Sequence, residues 1–245
     1  MSLPSRSGCL ILVLGGWLIL STSVVAVIAL LAAPPNTRAV MLMGSGLVLL
    51  WVVVGGSIQF LLRNPLRQFI RGIPIDGRVK FTAFATILAL TEEAVTVTMT
   101  NLAPLFGVPH GSAYITASGN YFDVVCLHSV VAFVPMFAAW ALLLRRWAFR
   151  PNAVFLLFGL TGLLAELSFG GTQALPEFGL WIFVYGLMVW LPAYAFSVDR
   201  PVGKPPWWLY PAAVVLPFLF AIPVAAVVGF AHPVRIHFPV ILPGS

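Results

Sequence analysis

Two adjacent glutamates, Glu92 and Glu93, stand in the stretch LTEEAVTVTMTNLAP, which otherwise reads as a membrane span. A carboxylate at mid-bilayer costs about 2.5–3.5 kcal/mol on insertion scales, so such residues face a bundle interior and mark sites of chemistry or ion passage. Two more ionisable groups fall at similar depth, His128 and Glu166, on the next two apolar segments. Carboxylates sharing a low-dielectric site cannot all be charged unless a cation or an imidazolium compensates. Groups under that constraint suit general acid and base work, metal ligation or proton carriage. The candidate catalytic set is therefore Glu92, Glu93, His128 and Glu166, with Glu93, His128 and Glu166 as candidate ligands for a divalent metal.

Helical spacing of 100° per residue extends this set. Glu93, Thr96 and Thr100 share a face flanked by Asn101, and the stripe climbs away from the midplane. Threonines in membrane helices also bond back to their own carbonyls with no other role. On the next span His128 shares a face with Tyr121 and Pro135, whereas Asp123 points away from it. A single membrane histidine often only bonds to a neighbouring helix. On the span after that, Gly159, Gly162, Gly170 and Gln173 lie on the face of Glu166, and small residues there predict close packing against another helix. Thr96, Thr100, Asn101, Tyr121 and Gln173 are the candidate substrate-binding residues. His232 and His237 lie beyond the last span, fit no standard metal spacing and rank as surface residues.

The elements that must position these residues follow from composition. Of 245 residues, 60% are hydrophobic and 8% charged, and the mean hydropathy is +1.02. No water-soluble domain displays such a surface, so the fold class is an all-α, polytopic membrane bundle. A hydrocarbon core ~30 Å thick takes about 20 apolar residues at helical rise. Seven windows qualify, at 9–33, 40–62, 81–106, 121–144, 153–174, 177–197 and 207–231, forming a single domain over 1–245. The connections PPNTR, RNPLRQFIRGIPIDGRVK, GVPHGSAYITASGN, RRWAFRP and DRPVGKPP read as loops. The third of these carries no Asp, Glu, Lys or Arg, and it fits either a lid dipping over the site or an ordinary exposed hairpin.

Cytoplasmic loops retain Lys and Arg. Of the 13 basic residues, all but Arg38 and Arg235 fall on one side of the seven spans, which puts the N-terminus inside and the C-terminus outside. The site then lies in the outer half of the bilayer. The first apolar run exceeds the usual signal-peptide core and reads as a retained anchor; cleavage near Ala33 would leave the later spans oriented alike. The expected location is the cytoplasmic membrane, for a prokaryotic chain. Cys9 and Cys126 fall near opposite faces, too far apart for a disulfide.

The net charge of +6 comes from residues spread between apolar spans, without a nucleic-acid motif. No nucleotide-binding, HExxH or CxxC pattern sits in suitable context. Haem lacks a second intramembrane histidine, and the last two spans hold no lysine for a retinal Schiff base. The adjacent glutamates followed by a histidine on a later span resemble the glutamate-type intramembrane endopeptidases related to CAAX-processing enzymes. That resemblance stops at Glu92, Glu93 and His128: Val97 stands where the family has Arg, Val124 where a Phe precedes the histidine, and no later span supplies the second histidine.

Three functions fit. The first is a membrane-embedded hydrolase acting on an apolar lipid or peptide, with Glu93 activating water. The second is a proton- or cation-coupled transporter, for which Pro135, Pro192, Pro217 and Pro223 would supply broken helices. The third is a noncatalytic subunit of a membrane complex, contacting the lipid bilayer and a membrane-protein partner or a second copy of itself.

Overall fold

The computed structural model describes residues 6–195, 203–234 and 236–238, with the backbone alone at 169, 170 and 173. Among the described residues the chain is helical and has no strand. Its helices are α1 (Arg6–Ala32), α2 (Pro35–Gly72), α3 (Gly77–Asn101), α4 (Tyr121–Leu127), α5 (Val130–Arg146), α6 (Pro151–Gly170), α7 (Phe178–Ala195) and α8 (Leu209–Ala231). Six of these are long and apolar enough to cross a membrane, and α4 with α5, bent by 45° at their junction, makes a seventh. The surface fits that reading, since Leu12, Leu31, Phe122 and Phe230 all stand more than two thirds exposed. Apolar surface on that scale needs lipid or a partner to cover it.

Two of the expected boundaries are corrected. The stretch after Arg63 was expected to be a loop, yet α2 continues through Pro65 to Gly72, and only residues 73–76 connect it to α3. At 38 residues, α2 is about 57 Å long at helical rise, so its end with Arg63, Arg67 and Arg71 overshoots any hydrocarbon core. Proline there is tolerated because the carbonyl it leaves unbonded can reach polar partners outside the apolar layer. The third span ends at Asn101 rather than 106, where Pro104 stops the helix and a short 3-10 turn, Ala103–Phe106, leads to Gly107 at φ 84°. Asp76 caps α3, its carboxylate accepting from the Arg78 backbone N–H at 2.8 Å. The Arg78 side-chain hydrogen bond holds the Asp76 carboxyl below the usual range. That contribution is present above the ordinary carboxylate pKa and is lost as pH falls through the lowered one; solvent screening keeps it small.

The core lies among α3, α5, α6 and α7, with Phe81, Phe137, Trp140 and Phe158 fully enclosed. The most extensive helix contact is between α6 and α7, where glycines do the work that the sequence assigns to small residues. A Cβ placed on Gly159 would sit 2.5 Å from the Ile182 carbonyl oxygen, one on Gly162 2.1 Å from the Tyr185 ring, and one on Gly186 2.7 Å from Phe155. Within α2 the stretch Val48–Gly55 widens to a π-helical turn. It holds Trp51, whose buried indole N–H donates to the Val184 carbonyl on α7 at 3.0 Å. Trp51→Phe removes that bond and leaves a void where the rest of the indole lay, so a loss of about 2–3 kcal/mol is expected, read as a lower thermal midpoint in detergent.

The segment 107–120 folds back onto the bundle. Val108 and Ala113 are buried against Ala39 and Met43 of α2 and Met99 of α3. Beyond α8 the tail returns to this segment, where the His237 N–H donates to the Ala117 carbonyl at 2.8 Å. Tyr114 also stacks on Phe238 with ring centroids 4.6 Å apart.

Candidate functional site

Polar side chains gather in two adjoining clusters toward the end of the bundle that carries the 107–120 segment. The deeper one is built on α3, α6 and α7. Glu92 and Glu93 are 5% and 6% exposed. Glu92 Oε1 accepts from the Thr96 hydroxyl at 2.8 Å; Glu93 faces Ser129 at the α4–α5 break, whose own hydroxyl donates to the Val124 carbonyl at 3.3 Å. From α6, Glu166 is close enough for its charge to act on both. Its Oε1 accepts from the Tyr185 hydroxyl of α7 at 2.5 Å. The glycine contacts of α6 and α7 bring Glu166 and Tyr185 together, since Gly162, one turn before Glu166, lies against the Tyr185 ring.

The shallower cluster contains residues that the sequence places apart. Asp123, His128, His232 and His237 each offer a ligand atom, and those atoms lie within 4.8 Å of one another. His237 Nδ1 lies 2.7 Å from Asp123 Oδ2 and 3.3 Å from His232 Nε2. His232 Nε2 is 3.6 Å from Asp123 Oδ1, and His128 Nε2 is 3.8 Å from Asp123 Oδ2. The buried Ser118 lies beside the Asp123 carboxylate, and its Oγ accepts from the Asn120 N–H at 3.1 Å. His128 Nε2 is buried and has no hydrogen-bond partner.

Local folding explains why these four meet. Asn120 caps α4, its Oδ1 accepting from the N–H groups of Phe122 and Asp123 at 3.0 and 3.4 Å, which fixes Asp123 in the first turn. The helix stops at Leu127, His128 leaves helical geometry at φ −128° and ψ −64°, and the N–H groups of His128 and Ser129 both go to the Val124 carbonyl. The expectation that Asp123 points away from His128 assumed an unbroken helix; the break swings the imidazole round to the carboxylate. The shared face of Tyr121, His128 and Pro135 is lost with it. His232 ends α8 because it precedes Pro233, a position pushed toward extended geometry, and its φ of −141° and ψ of 71° turn the chain inward. His232 and His237, expected at the surface, have side chains 28% and 22% exposed and face Asp123.

Glu166 therefore lies within electrostatic range of Glu92 and Glu93, while His128 sits in the neighbouring cluster, one residue from the Ser129 that faces Glu93. Four of the expected substrate-binding residues make hydrogen bonds within the bundle. Thr100 is fully buried and accepts from the Ile115 N–H at 3.3 Å. Asn101 donates to the Gly119 carbonyl at 2.9 Å and faces His110 Nε2 at 2.8 Å. Tyr121 donates to the Leu90 carbonyl at 3.0 Å. Thr96 stays with Glu92, and the Gln173 side chain lies outside the described residues. Residues missed at the sequence level are Tyr185, Ser129, Ser118 and the inward-turned His232 and His237. The arrangement offers buried proton acceptors beneath a half-buried set of nitrogen and oxygen donors. No protein-family model matches this chain, and no curated protein or solved structure matches it either.

Proposed function

We propose that the chain is a single-domain, multi-pass membrane protein with its N-terminus inside, and that it is a hydrolase cleaving an apolar lipid or membrane peptide in the outer half of the bilayer. The observation that carries this reading is the burial of Glu93 beside Ser129, next to donors that can admit water and the polar part of a substrate. A base must lie close to the water it activates and be shielded from bulk solvent, where its interactions strengthen. Glu93 takes a proton from water as the oxygen attacks the substrate carbonyl carbon. The tetrahedral intermediate then expels its alcohol or amine, and the same proton passes from Glu93 to that leaving atom. Glu92, held by Thr96, and Glu166, held by Tyr185, keep the neighbouring charges in place.

A second reading, proton-coupled transport, draws on the same hydrogen-bonding groups. Glu166 with Tyr185 and Glu92 with Thr96 are hydrogen-bonded pairs, and Glu93 faces Ser129, the residue after His128. The exposed apolar length of α1 would suit a membrane partner or a second copy under any of these functions.

The test uses the full chain in lipid nanodiscs made from host membrane lipid and, separately, with a transmembrane peptide library, products being read by mass spectrometry. Product from wild type and none from Glu93→Gln is expected. Failure of every lipid and peptide, together with proton uptake into proteoliposomes that Glu93→Gln abolishes, would replace hydrolysis by transport. The orientation has its own check: with Cys9 and Cys126 replaced by Ser, Pro109→Cys should react with a membrane-impermeant maleimide on intact cells. Labelling only after lysis would invert the assignment.

A further inference from the structure

We propose that Asp123, His128, His232 and His237 form a binding site for one divalent transition-metal ion, zinc in the first instance. The donor set is three imidazole nitrogens and one carboxylate, the composition that zinc takes with bonds of about 2.0–2.2 Å. Tetrahedral donors at that bond length stand about 3.3–3.5 Å apart. Of the six separations among four donors, three are 3.3, 3.6 and 3.8 Å, at or just above that edge; one, 2.7 Å, needs a small opening, and the two from His128 to the other imidazoles lie within 4.8 Å and need a small closing.

Hydrogen bonding alone leaves the cluster unsatisfied. His237 Nδ1 carries at most one proton, yet it faces both Asp123 Oδ2 and His232 Nε2. His128 Nε2 is buried with no hydrogen-bond partner, 3.8 Å from the Asp123 carboxylate, and a buried polar atom left without a hydrogen bond costs about 1–3 kcal/mol. A cation at the centre satisfies all four atoms at once. The buried Ser118 beside Asp123 is placed to give the outer support that fixes a ligating carboxylate. The four ligands come from α4, from its junction with α5, and from the tail after α8. The ion thereby fastens the tail, already bonded through the His237 N–H to Ala117, across the end of the bundle above the glutamates.

Metal binding is independent of the hydrolytic reading and is measured without a substrate. The full chain is purified in detergent, stripped with chelator and titrated with zinc against a chromophoric competitor, with cobalt as a spectroscopic probe. One equivalent of zinc and the intense visible bands of tetrahedral cobalt are expected. His128→Ala and the double variant His232→Ala/His237→Ala should each weaken binding more than about 100-fold, and Ser118→Ala about 10-fold, as removal of an outer-shell partner does. Circular dichroism and gel filtration show whether each variant stays folded; Asp123→Asn, nearly isosteric, covers the case in which an alanine variant does not. Absence of stoichiometric binding to folded wild type, or equal affinity in folded variants lacking a ligand, would overturn the site.

Discussion

Glu93→Gln lowers turnover of the apolar substrate by about 10²–10⁴-fold, the range a positioned general base supplies, while the helical fold survives. The substitution keeps the volume and the hydrogen-bonding capacity of a side chain only 6% exposed. It also removes a group that must be desolvated to be charged, so stability should hold or rise slightly. What goes is the ability to accept and return a proton. Glu92→Gln and Glu166→Gln should cost less, because each of those carboxylates already accepts from a dedicated hydroxyl, Thr96 and Tyr185. Kinetics of the three variants on one substrate check the order. A Glu92 or Glu166 variant slower than the Glu93 variant would move the base to that residue.

The largest structural effect is expected from Gly159→Leu. The Cβ alone would sit 2.5 Å from a backbone oxygen of α7, and backbone within a helix cannot swing aside as a side-chain end can. Helices α6 and α7 must then separate, which carries Glu166 away from Tyr185. Overpacking in a dense core costs about 1–3 kcal/mol and more where backbone must move; with marginal overall stability the variant should unfold or fail to accumulate. Gly46→Ala is the control. Its new Cβ meets the Met99 sulfur at 2.3 Å, but methionine is flexible and can turn away, so the thermal midpoint should fall far less. Comparable losses in the two variants would mean that the α6–α7 contact does not carry the weight assigned to it.

Much of the architecture was legible from apolar window length, because a helix is the way a single apolar segment satisfies its backbone in lipid. The glycines of α6 pointed to close packing, and Gly159 and Gly162 do meet α7. The α2 extension was hidden because Pro65 and three arginines look like a loop, whereas a helix can leave the apolar layer and keep going. The shallower cluster was hidden for a different reason. Helical periodicity assumes continuity, and it gave Asp123 and His128 opposite directions; the break after Leu127 reverses that result. His232 and His237 are separated from Asp123 by more than 100 residues, so no local spacing could join them. The one local sign was the His232–Pro233 pair, which ends α8 and redirects the tail.

The most direct measurement of the central claim is hydrolysis in ¹⁸O-labelled water. Full-length protein in nanodiscs of host lipid, or with the transmembrane peptide library, is incubated in that water, and the products are weighed by mass spectrometry. If Glu93 activates water, one new carboxyl product accumulates with a single ¹⁸O per cleavage, and it is missing from Glu93→Gln. Products without the label, or labelled product in equal amount from the Glu93→Gln protein, would contradict water activation by this residue.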